Sequence, residues 1–177
     1  VVHTAANGLP LGAEQDDRHF KALFLDIGLV NRLCSLPLAN TVELVAIHEG
    51  ALAEQFVGQQ LLAAAPAFED AGLFYWVREA RSANAEVDYV IGWQQEVLPV
   101  EVKAGKTGTL RSLLQFLREK RRCRAVRFYS GPPALEHVKL PGQEGAAVQL
   151  LSLPLFAAGQ LNRLLREAFE ETPPATR

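Results

Sequence analysis

The sequence contains no methionine, not even at position 1, and only two cysteines among its 177 residues. A translation product begins with Met, so a chain that opens Val1-Val2-His3 reads as a piece of a longer protein. Two thiols cannot staple a scaffold of this size, so Cys34 and Cys123 read as reduced, small apolar side chains of a cytoplasmic protein. No Cys or His spacing suits zinc, and His3, His19, His48 and His137 are scattered without an i+4 partner. Long apolar runs are missing too. The longest uncharged stretch, Gly145 to Asn162, is broken by Ser152, Pro154, Gly159 and two glutamines, which excludes a membrane span there. The opening residues lack the basic and apolar regions of a signal peptide. With 13 Gly and 10 Pro the chain is neither collagen-like nor of low complexity, and 49% hydrophobic with 21% charged residues excludes disorder. Nothing sets an oligomeric state.

What is present is an uneven charge. Residues 1–100 carry five Lys/Arg against thirteen Asp/Glu, net −8, while residues 101–127 carry nine against two, net +7. Half of all basic residues therefore fall in a short stretch, including Lys106, Arg111, Arg118, Arg121 and Arg122. Such a stretch can track a phosphate backbone. It can equally be a solvated helix end whose cations complement the helix dipole.

The periodicities order the chain. Residues 1–20 are turn-rich, and Phe20 to Leu25 is a short strand. Asp26 caps a short helix that runs to about Leu36 and is broken by Pro37. His48 to Ala65 is an amphipathic helix with Leu52, Phe56 and Ala63 on one stripe and Ala53, Val57, Leu61 and Ala64 on an adjacent one, and Glu54 lies within it. Leu73 to Val77 is a strand. Glu86 to Ile91 alternates, with Val87, Tyr89 and Ile91 on one face and Glu86, Asp88 and Val90 on the other. Glu96 to Lys103 alternates as well, with Leu98, Val100 and Val102 opposite Val97, Pro99, Glu101 and Lys103. Thr109 to Arg121 is a second helix, with Leu110, Leu113, Leu114 and Leu117 inward. Strands at Ala125 to Tyr129 and Val148 to Leu153, a helix at Gln160 to Glu170 and a frayed tail follow.

Gly92-Trp93-Gln94-Gln95 joins two of these strands as a tight hairpin. If Gly92 pairs with Gln95, Asp88 faces Pro99 and lies diagonal to Glu101 on the same face, roughly 7–8 Å away at the Cα atoms. Lys103 follows on that face. Two carboxylates at such a distance can share a hard divalent cation such as Mg²⁺, which acidifies water and stabilises charge building on a phosphate. An adjacent Lys can position the water or neutralise that charge. Glu54 offers a third carboxylate. Alternatively, Glu101 and Lys103 form an ion pair on an exposed strand edge, as Pro99 suggests, and Asp88 is solvated. In the hairpin, Trp93 is expected to be partly exposed, while Trp76 belongs to the core.

The runs Glu86-Val87-Asp88-Tyr89-Val90-Ile91 and Leu98-Pro99-Val100-Glu101-Val102-Lys103-Ala104-Gly105 resemble the PD-(D/E)-x-K nuclease superfamily. More narrowly, the chain resembles the C-terminal domain that follows an AAA+ type P-loop ATPase module in many bacterial and archaeal proteins. Lys21 to Leu29, Gly50 to Val57, Leu73 to Trp76 and Arg81 to Asp88 carry that likeness, which covers about residues 20 to 165. The resemblance implies an α/β restriction-endonuclease-like fold, a central mixed sheet flanked by helices. It implies metal binding by Asp88 and Glu101, a catalytic Lys103, and Glu54 as the acidic helix residue. Val87 stands where Pro often precedes the Asp, and Gln115 resembles a Gln of some branches.

The expected organisation is a lead-in segment 1–45, a nuclease-like domain 46–170 and a tail 171–177. The expected function is that of a nuclease-like domain dependent on Mg²⁺ or Mn²⁺, acting on or binding DNA as part of a larger ATPase. Lys106, Arg111, Arg118, Arg121 and Arg122 would hold the nucleic-acid backbone, and the upstream ATPase domain would be a partner. The rival is a non-catalytic module that docks the ATPase domain or another protein. Burial of Asp88, Glu101 and Lys103 under segment 1–45 would favour that rival. Gly105-Lys106-Thr107 imitates the end of a P-loop, but Val100 stands where that motif needs Gly, so nucleotide binding is not expected.

Overall fold

A computed structural model describes residues 1–33, 42–66, 72–78, 85–106, 108–142 and 147–170. Among them the order is β1 (Val2–Thr4), β2 (Gln15–Phe20), α1 (Ile27–Leu33), α2 (Val42–Ala63), β3 (Phe74–Arg78), β4 (Ala85–Trp93), β5 (Glu96–Val102), α3 (Arg111–Lys120), β6 (Arg124–Tyr129), β7 (Ala134–Lys139), β8 (Ala147–Pro154) and α4 (Leu161–Glu170). The eight strands form one mixed sheet in the order β2-β1-β3-β4-β5-β6-β8-β7. β4 runs antiparallel to both its neighbours, β3 and β5, whereas β5, β6 and β8 run parallel, with α3 crossing between β5 and β6. The fold is thus α/β with helices on both faces. No described helix is long and apolar enough to cross a membrane.

Each face of the sheet has its own core. On one, Ala53 and Val57 of α2 and Leu161, Leu165 and Phe169 of α4 pack on Tyr89, Trp93, Leu98, Val100 and Val102. On the other, Leu113, Phe116 and Leu117 of α3 pack on Val87, Val90 and Val97. The inward face expected of α3 holds, with Phe116 added and Leu110 and Leu114 only partly buried. Of the stripes expected on α2, Ala53 and Val57 are buried, Leu52, Phe56, Leu61 and Ala64 are half-buried and Ala63 is exposed. Gly58 lies mid-helix in α2, where Gly costs about 1 kcal/mol against Ala. A Cβ there would fall 2.5 Å from Tyr89 Oη and 2.8 Å from Leu23 Cδ1, so the missing methyl lets the sheet and the lead-in approach the helix.

Three differences from the sequence expectations position the site. The hairpin turns at Gln94-Gln95, and Trp93 pairs with Glu96, so the register is two residues further out than a Gly92–Gln95 pairing. A shift of two keeps every side chain on its face, and the registered pairing stops at Tyr89–Val100, one residue short of Asp88 and Glu101. Gln94 takes a left-handed φ of 54° to close the turn. Trp93 is consequently buried, its ring tilted against Phe169 at 5.7 Å, and not part of an exposed turn. Second, β4 does not alternate strictly. Phe74 pairs with Val90 and Trp76 with Val87, so β4 carries one extra residue, a β-bulge, at Asp88-Tyr89. Val87 and Val90 therefore share one core while Tyr89 and Ile91 enter the other. Third, β5 is a central strand. Pro99 is buried and pairs with Val90, and pairing with β6 is registered only from Val100 onward, which spares the missing N–H.

The lead-in joins the same sheet, since β1 pairs with β3 in parallel. The strand expected at Phe20 to Leu25 is not formed; β2 ends at Phe20 and lies within the stretch read as turn-rich. Lys21 to Leu25 instead runs along α2, where Gln55 bonds the backbone of Ala22 and Phe24, and Gln59 donates to the Phe24 carbonyl at 2.7 Å. Asp26 does cap α1, accepting from the Leu29 N–H at 2.9 Å. α2 begins at Val42, six residues before the expected His48. β7 lacks apolar alternation because it is an exposed edge strand, and for that reason it is not visible in the sequence. Cys123 is exposed rather than buried, because it lies in the short surface link between α3 and β6. Cys34, Pro37, Arg81, Thr107 and the tail lie outside the described residues.

Candidate functional site

The site forms where β4 and β5 part company. Their registered pairing ends at Tyr89–Val100, and beyond it the Asp88 carboxylate takes over the ladder's role, accepting the Val102 N–H at 2.7 Å. The bulge in β4 re-aims this stretch. α2 supplies Glu54 from above, held by Tyr89, whose hydroxyl donates to the Glu54 carbonyl oxygen at 2.8 Å. Carboxylate oxygens of Glu54, Glu86 and Asp88 all lie within 4.8 Å of one another. On β5, Glu101 is buried, 4% exposed, and its Oε1 accepts Lys103 Nζ at 2.6 Å. Its Oε2 is buried without a hydrogen-bond partner. The alternative of an exposed edge pair is thereby corrected: Glu101 and Lys103 do pair, but on a central strand.

The electrostatics follow from crowding. Burial, then the charges of Glu101 and Glu54, push the Asp88 carboxyl up to about 7, against the opposing Val102 N–H and Lys21. Burial also raises Glu101, which Lys103 partly offsets. Burial alone would lower Lys103, but Glu101, Asp88 and Glu54 outweigh it and hold its ammonium above the usual range. Tyr89 is raised by burial and by the two carboxylates nearby.

Asp88, Glu101, Lys103 and Glu54, singled out from the sequence, therefore share one neighbourhood. Two participants were not foreseen. Glu86 was legible in principle, two residues from Asp88 on the same strand. Lys21 had no local signal; it arrives from the lead-in and pairs with both Glu54, at 2.8 Å, and Glu86. The grouped carboxylates Glu54, Glu86 and Asp88 could hold a metal ion, and an all-carboxylate set suits a hard divalent cation such as Mg²⁺ or Mn²⁺; Glu101, with its orphaned oxygen, is not one of the three.

The basic residues are spread more widely. Lys106 is exposed in the loop after β5, and Arg111 is exposed at the start of α3. Arg118 lies in the last turn of α3, where Lys120 also sits, and Arg121 caps it in a left-handed conformation. Arg122 donates to the Asn7 carbonyl at 2.6 Å. α3 runs back from the Lys103 end of β5 to the start of β6, where Arg124 pairs with Glu96, so Arg118, Arg121 and Arg122 lie at the far end of the strands from Lys103. Arg111, Leu114, Gln115, Arg118 and Pro141 line a shallow groove of about 230 Å³ on the α3 face.

Residues 49–153 match a family described as "Domain of unknown function (DUF4143)". No curated protein and no solved structure was found to match the chain.

Proposed function

We propose that this chain, which belongs to the DUF4143 family, is a nuclease-like domain of restriction-endonuclease-like fold that cleaves or binds DNA with the help of Mg²⁺ or Mn²⁺. Domains of this family are commonly found after AAA ATPase modules, which supports a place at the C-terminal side of such a module. The observation that carries the reading is Glu101: a buried carboxylate with one oxygen on Lys103 and the other unpartnered, near an Asp88 whose carboxyl is pushed up to about 7 by burial and by the Glu101 and Glu54 charges. A buried carboxylate oxygen without a partner beside other carboxylates is a position that a bound cation would satisfy.

In this reading Asp88 and Glu101, with Glu54 and Glu86 close by, hold the metal. A bound divalent ion would acidify a water and offset charge on the scissile phosphate. Lys103 keeps its ammonium charged through Glu101 and would face the developing negative charge on the phosphate oxygens. Glu54, anchored through Tyr89, would orient the attacking water by accepting its proton. Lys106 and Arg111, nearest the Lys103 end of the sheet, would contact the DNA backbone first, and the cations at the far end of α3 would extend that track.

The test is cleavage of single- and double-stranded DNA with Mg²⁺ or Mn²⁺, beside Asp88→Ala and Lys103→Ala. Metal-dependent cutting that is lost in both variants is the expected result. No cutting, by this chain and by the protein that carries its ATPase module, would refute catalysis. A second reading, a docking module without activity, is favoured by one observation: Lys21 of the lead-in reaches into the carboxylate group.

A further inference from the structure

Lys21 is held in place from three directions. Its backbone N–H donates to the Val1 carbonyl at 2.9 Å, and its own carbonyl accepts from the Val1 nitrogen at 3.1 Å. Its stem passes the Tyr75 ring, the ammonium 5.0 Å from the centroid. Its Nζ then ends between Glu54 and Glu86, whose oxygens group with that of Asp88. The segment behind it is strapped to α2 by Gln55 and Gln59, and Leu23 packs half-buried against the core. An ammonium therefore sits at the carboxylates that a metal would use. The three grouped carboxylates (Glu54, Glu86, Asp88) face Lys21, and the Glu101–Lys103 pair balances itself, so with every group ionised the cluster is short of two positive charges, the charge of one divalent ion.

We propose that Lys21 is a tethered cation that occupies part of the metal position, and that a divalent ion binds only by displacing its ammonium from Glu54 and Glu86. This rests on the metal-binding reading above and adds a control to it: the lead-in segment sets the metal affinity. Burial would lower the Lys21 ammonium, but Glu54 and Glu86 more than compensate, so it competes as a full positive charge. Removing a unit charge at this range raises divalent affinity by at least about tenfold. Anything that pulls Lys21 to Leu25 off α2 would load the site.

Mn²⁺ binding, measured by calorimetry on the whole chain, on Lys21→Met, Lys21→Arg and Asp88→Asn, tests this. Lys21→Met keeps the stem without the charge and is expected to bind Mn²⁺ about tenfold tighter than the native chain, while Lys21→Arg does not and Asp88→Asn loses binding. If the native chain binds Mn²⁺ and Lys21→Met binds it no tighter, the tethered cation is overturned and the metal site stands. If neither binds, both readings fall. Should Lys21→Met not fold, the native chain still decides. With ¹³C-labelled lysine, the Lys21 ε-methylene signal, assigned by its loss in Lys21→Arg, must shift when Mg²⁺ saturates the site. An unmoved signal at saturation overturns the proposal.

Discussion

Replacing Asp88 with Asn should stabilise the protein, and more so as the pH rises. In the fold the Asp88 carboxyl titrates at about 7 against an ordinary 3.8. The folded state therefore holds a proton that the unfolded chain has released between about pH 4 and pH 7. Stability is lost as pH rises through that window, and the loss is complete above it. About 1.4 kcal/mol per pH unit gives a ceiling of about 4 kcal/mol. Glu101 and Glu54 share the same repulsion, so about 2–4 kcal/mol is expected. Asn removes the charge and retains an oxygen for the Val102 N–H. Urea or thermal unfolding of both proteins from pH 4 to pH 9, without metal, reads the difference. The variant should match the native chain near pH 4 and melt about 5–15 °C higher at pH 8. A variant no more stable than the native chain at pH 8, or a gap that does not change with pH, would refute the crowding of Asp88 with Glu101 and Glu54.

Mn²⁺ at a hundred times its dissociation constant should raise native stability at pH 8 by about 2.7 kcal/mol and leave Asp88→Asn unchanged, as read by the melting temperature. Lys103→Ala should abolish any cleavage but keep the fold. Stripping Glu101 of its partner should cost about 1–3 kcal/mol in urea unfolding, and complete unfolding of the variant would mean that Lys103 serves structure. Gly58→Ala should destabilise by about 1–3 kcal/mol, because its methyl meets Tyr89 Oη and Leu23. Tyr89→Phe in the same chain should recover part of that loss in the same assay.

Local pattern sufficed for much of this protein. The 3.6-residue stripe of Ala53 and Val57, the inward face of α3 and the alternation of Leu98, Val100 and Val102 each place a residue on a core without knowing what covers it. Asp88, Glu101 and Lys103 were legible for the same reason, since two adjoining strands and a short turn bring them together whether the register is off by none or by two. What the sequence could not determine depends on contacts far along the chain. The bulge that splits Val87 from Tyr89 is set by β3, and the burial of Pro99 and Glu101 is set by β6 arriving on the other side of β5. The sheet edges, β2 and β7, are polar strands with no pattern to betray them. The compact basic stretch in sequence is drawn out along α3, because a helix carries successive residues away from the strand it follows. Above all, Lys21 reaches Glu54, 33 residues away, only because the lead-in lies on α2. Side-chain periodicity is a property of neighbours and can be read from them; which charges share a buried space is decided by closure of the chain.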